Sequence, residues 1–161
     1  MSSLTSAQAN HTLPRPRGLA WRAAVGVLAY NIIAALVAIA TDWRARFDPP
    51  PDQGSVSSEL ALNGSAISAP IAPLALLAAG ALLARRQDRW KVLGLVGIAI
   101  AGALFVVGAV GEITARPSVH TPQAVLIFAG VVHSAIGIAL IGLATSDFIR
   151  GWTSDGAPRP L

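Results

Sequence analysis

The sequence predicts an all-α fold, a four-helix transmembrane bundle with N-in/C-in topology and antiparallel consecutive spans. Four apolar stretches, at about 22–41, 67–84, 92–113 and 123–145, are each near the roughly 20 residues that cover about 30 Å of hydrocarbon. Hydrophobic residues make up 53% of the 161 and charged residues 12%, against roughly 25% charged in a soluble domain. Trp21, Trp43, Trp90 and Trp152 all fall at the borders of these stretches. At such borders an indole ring stays apolar while its N–H faces the headgroups.

Charge sets the expected orientation. With the N-terminus inside, the inner segments hold Arg15, Arg17, Arg22, Arg85, Arg86, Arg89, Lys91, Arg150 and Arg159, nine of the twelve basic residues. The outer segments hold Arg44, Arg46 and Arg116 against Asp42, Asp48, Asp52, Glu59 and Glu112. Cationic loops stay on the cytoplasmic side, so both termini are expected inside and the number of spans even. The pI of 11.1 is read as this topology signal. The cations border spans rather than share one soluble face, so no nucleic-acid partner is expected. Arg outnumbers Lys eleven to one and Ala and Gly abound, a bias that accompanies GC-rich bacterial genomes, so the expected location is a bacterial inner or plasma membrane.

The elements follow in order. Residues 1–17 are polar, with Pro14 and Pro16 and no apolar period, and read as a disordered basic cytoplasmic tail. Residues 18–146 form the single membrane domain. Within span one, Ala38-Ile39-Ala40 matches a signal-peptidase A-x-A site, but the apolar run exceeds the 7–15 residues of a signal core and is interrupted by Tyr30 and Asn31, so an uncleaved span is expected. The outer loop 42–66 combines a stiff Asp48-Pro49-Pro50-Pro51-Asp52 piece with Leu60 and Leu62 among polar residues, and reads either as a surface linker or as a cap and docking surface. Pro70 and Pro73 mark the start of span two, where a missing N–H costs little. The basic turn Arg85–Lys91 joins spans two and three, and Pro117 and Pro122 bracket the turn between spans three and four. Residues 147–161 read as a second cytoplasmic tail.

Small residues predict close helix packing. Gly97, Ala101, Gly108, Gly130 and Gly137 lie on spans three and four, with Gly97-xxx-Ala101 and Gly130-xxx-Ser134 as small-xxx-small pairs that let backbones approach. These faces serve either packing of span three on span four or an interface with a membrane-protein partner or a second copy.

Polar side chains within spans are costly and are functional candidates. Asn31 and His133 are each expected near the midplane, within reach of a direct hydrogen bond, with Tyr30 and Ser134 beside them. This group reads either as interhelical polar glue or as a proton-relay or ligand-binding imidazole. Glu112, Arg116 and His120 form a second candidate group at the outer end of span three: an i,i+4 ion pair, or an outer access point for a proton or cation. No cysteine is present, two ligands without a third do not make a metal site, and a single His within a span cannot ligate haem on both sides, so no metal or cofactor is expected. No catalytic motif is visible, and the protein is expected not to be an enzyme. The leading expectation is a non-enzymatic accessory or structural subunit acting through helix packing and its outer loop. The alternative is a small carrier or proton-coupled permease using His133, Asn31 and Glu112.

Overall fold

A computed structural model describes residues 18–43, 64–86, 88–114 and 121–155, and these form four helices. Helix α1 is Leu19–Thr41, α2 is Ile71–Ala84, α3 is Trp90–Thr114 and α4 is Gln123–Asp155. Three of them, α1, α3 and α4, are long and apolar enough to cross a membrane. Their outward faces carry large apolar side chains, among them Ile32, Ile33, Leu36, Val107, Phe128 and Ile138. In water such continuous faces would drive association, whereas lipid tails accept them without cost. The tail 1–17, most of the outer loop, and Arg116 and His120 lie outside the described residues.

Helix α2 differs from expectation. Its 14 residues rise about 21 Å, short of the roughly 30 Å of a hydrocarbon core. The helix begins at Ile71 rather than near residue 67 because Pro70, with φ −57° and ψ 156°, stands in extended backbone before it. Residues Gly64–Ala69 above it are a buried tight turn, in which Ser65 N–H donates to Ser68 O at 3.0 Å. Gly64, at φ 76°, fits against Ser68 O and Pro70 N, where a Cβ has no room. Helix α4 also departs from expectation, since it continues to Asp155, well past the end of the predicted span.

Glycines set how near the helices come. A Cβ on Gly102 would lie 2.7 Å from Gly137 O, and one on Gly137 would collide with Gly102 O, so α3 and α4 meet backbone to backbone. Gly130 seats beside Ala109 O and Ile113 farther along the same seam. Between α2 and α3, a Cβ on Gly80 would lie 3.0 Å from both Gly94 O and Ile98 N, and one on Gly94 would collide with Ala84 N. Gly97 lies against Gly80, and Ala101 is fully buried. Gly108 is a correction: a Cβ there meets nothing within 4 Å. It lies eleven residues, about three turns, along the stripe that Gly97 turns to α2, and α2 is too short to follow the stripe that far. Around these seams Leu77, Ile98, Leu140, Phe105 and the alanines of α1 complete the core.

The two kinds of glycine separate experimentally. Gly137→Leu forces α3 from α4 and is expected to cost more than about 2 kcal/mol, read as a fall in thermal midpoint in detergent. Gly108→Ala is expected to stay within about 0.5 kcal/mol of wild type.

Candidate functional site

Few polar side chains are buried among the described residues, and three of them, Asp147, Asn31 and His133, join two elements. At one end, Asp147 on α4 receives the N-terminus of α1: Ala20 N–H donates to its Oδ2 at 2.8 Å. Gly18 precedes that helix with no side chain to cap it, and a Cβ there would run into the Asp147 carboxylate. A carboxylate at a helix N-terminus satisfies an orphan donor and complements the helix dipole. Asp147 therefore caps α1 from a different helix, 127 residues away. Sequence reading passed over it, because a lone acid two residues beyond a predicted span looks like an ordinary border charge.

Asn31 anchors the irregular segment. Its Oδ1 accepts from Ala69 N–H at 2.9 Å, and its Nδ2 donates to Val27 O at 2.9 Å within α1. The neighbouring donors are also placed: Ala66 N–H reaches Trp43 O at 3.4 Å, and Ile67 N–H reaches Ser65 Oγ at 3.4 Å. Non-helical backbone buried among helices must place its polar groups in this way. The expected hydrogen bond between Asn31 and His133 does not form, since both polar atoms of the amide are engaged elsewhere.

The partner of His133 is Glu112. Nδ1 of the imidazole lies 3.2 and 3.1 Å from the carboxylate oxygens Oε1 and Oε2, with the two side chains 3% and 12% exposed. The sequence placed these residues at different depths, by counting positions along each helix. Side chains lean toward the N-terminus of their own helix. On antiparallel α3 and α4 the leans are opposite, so Glu112 and His133 tilt toward each other. Close contact of the helices at Gly102, Gly137 and Gly130 then brings them together.

Aromatic edges enclose the imidazole. The Phe105 ring stands 5.6 Å away at 62° and the Tyr30 ring 6.2 Å away at 77°, both edge to face. Tyr30 brings α1 to the site, so three helices meet there. Ser134, next in the chain, is half-buried and adds no hydrogen bond to the imidazole. Nε2 of His133 is buried without a hydrogen-bond partner among the described residues. No group of three or more potential metal ligands exists among them. The site sets a carboxyl group and an imidazole within hydrogen-bond distance on one side of the ring, with the second ring nitrogen buried on the other.

Removing the Asn31 anchor tests this accounting. Asn31→Ala leaves Ala69 N–H without its acceptor and is expected to cost about 1–3 kcal/mol. Hydrogen exchange should quicken at Ala69 and neighbouring amides and not along α3 or α4. Comparison with protein families, with curated proteins and with solved structures finds nothing that matches this chain.

Proposed function

We propose that the chain is a four-span membrane protein with both termini inside, and that it works as a small proton-coupled carrier centred on His133 and Glu112. In this reading the buried turn and α2 together make the second span. The observation that carries the reading is the 3.1 Å contact between two titratable side chains enclosed by three apolar helices. Burying ionisable groups is expensive, and a well-packed apolar pair would join α3 to α4 at no such cost. A titratable pair supplies what packing does not, a place to hold a proton.

The chemistry follows from the two ring nitrogens. Glu112 is the more exposed partner and lies near the end of α3, so it is the first to meet a proton from that side. Imidazole accepts a proton on one nitrogen and releases one from the other. A proton passed from the Glu112 carboxylic acid to Nδ1 leaves a carboxylate beside an imidazolium, so the pair holds one proton that either group can carry. Tyr30 and Phe105 hold the ring plane so that the two nitrogens face different surroundings. The mechanism involves no bond-making beyond proton transfer, and the proposed role is not enzymatic.

Asn31 is assigned a scaffolding part in this reading, because both of its polar atoms are occupied. The glycine faces are likewise consumed within the chain, which removes the main support for a partner helix at Gly97, Gly130 and Gly137. An accessory-subunit reading is favoured instead by a different observation. Helix α4 runs two turns beyond Asp147 and exposes Phe148, Ile149 and Trp152, an aromatic-aliphatic patch suited to another membrane protein.

Flux decides between the readings. Proteoliposomes under an imposed pH gradient, challenged on a solid-supported membrane with a panel of amino acids, small organic cations and sugars, are expected to give a transient current with at least one class. His133→Ala and Glu112→Gln should each lower that current at least tenfold while the protein still inserts. Equal currents in wild type and both variants contradict the carrier, as does wild-type silence across the panel, which favours the subunit.

A further inference from the structure

The turn between α2 and α3 gathers four cations, Arg85, Arg86, Arg89 and Lys91, around one carboxylate, Asp88. That carboxylate is already engaged. Asp88 Oδ1 accepts from Trp90 N–H at 3.0 Å and its backbone O accepts from Lys91 N–H at 3.0 Å, so it caps α3. None of the four cations is paired with a carboxylate among the described residues. Lys91 turns toward α4, its Nζ 3.9 Å from where a Cβ on Gly151 would stand.

Two of the guanidinium groups are held over indole rings instead. Arg85 Cζ lies 5.3 Å from the centre of the Trp21 ring on α1, and Arg89 Cζ lies 5.7 Å from the centre of the Trp90 ring. Stacking on an aromatic face leaves the in-plane N–H donors of a guanidinium pointing outward. Such a fork matches the paired oxygens of a phosphate. Beside it, Arg89, Trp90, Val92 and Leu93 line an open depression of about 550 Å³. Its floor is apolar, since Val92 and Leu93 are exposed on the face of α3 below the turn.

We propose that this turn binds the phosphodiester headgroup of an anionic phospholipid, with the acyl chains along Val92 and Leu93. The assignment rests on the membrane reading above and places the turn at the inner leaflet. Charge selects the occupant: four cations against one carboxylate in the turn attract an anion, while an indole border and an apolar floor suit a molecule with a fatty tail. Free phosphate satisfies only the upper half of the site. The cations also favour an anionic lipid over a zwitterionic one, whose own ammonium group they repel.

The test is native mass spectrometry of the full-length protein from mixed micelles containing equal phosphatidylglycerol and phosphatidylcholine. Wild type is expected to retain phosphatidylglycerol preferentially, and millimolar inorganic phosphate should not displace it. Arg89→Gln and Arg85→Gln should each lower phosphatidylglycerol occupancy about fivefold, in line with the interfacial attraction of one cation. Arg89→Lys keeps the charge, and so the topology, but loses the fork, and should fall between wild type and Arg89→Gln. Equal retention of both lipids by wild type overturns the proposal without needing any variant. Unchanged occupancy in Arg89→Gln, or displacement by phosphate alone, also overturns it. Membrane fractionation of the expressing cells, before solubilisation, separates the two levels: a chain absent from membranes fails the membrane reading, whereas an inserted chain without lipid preference fails only this site.

Discussion

A buried polar group left without a partner is costly, and in a chain this apolar the few buried groups that pair across elements tie the structure together. Apolar helix surfaces alone fix relative position weakly, because one alanine or leucine face packs much like another a turn away. Three polar joins remove that freedom. Asp147 fixes the end of α1 against α4, Asn31 fixes the buried turn and hence the start of α2 against α1, and Glu112 fixes α3 against α4 at His133. Each is specific in direction as well as distance, so together they set the register of all four helices.

Glycine supplies the closeness these joins require. Gly102 and Gly137 bring the backbones of α3 and α4 into contact, and Gly80 and Gly94 do the same for α2 and α3. With side chains removed from the seams, the large apolar residues are left to the outside. The resulting object is packed within and greasy without, which is what a membrane solvent demands and water does not tolerate.

Much of this was legible in the sequence, and the exceptions have physical causes. Long apolar runs announced α1, α3 and α4, and the packing roles of Gly97, Ala101, Gly130 and Gly137 followed from helical spacing. Gly108 shares that spacing yet packs on nothing, because the helix it would meet is short. The shortness of α2 was hidden, since Ile67, Ala69 and Pro70 read as apolar or helix-starting whether or not they are helical. His133 and Glu112 were both picked out as costly residues but not as partners. Counting along each helix ignores the opposite tilt of side chains on antiparallel neighbours, which brings the two groups together. Asp147 carried no signal at all, because a trans cap depends on where another helix happens to begin.

The central claim is that His133 and Glu112 act as one proton-holding unit. Infrared difference spectroscopy of the protein in lipid bilayers, taken across a pH step, observes both groups at once. The account predicts a carboxylic-acid band and an imidazole band that change together in wild type. Glu112→Gln should remove the first and alter the second, and His133→Ala should alter the first. A carboxylic-acid band assigned to Glu112 that is identical in wild type and His133→Ala would contradict the account.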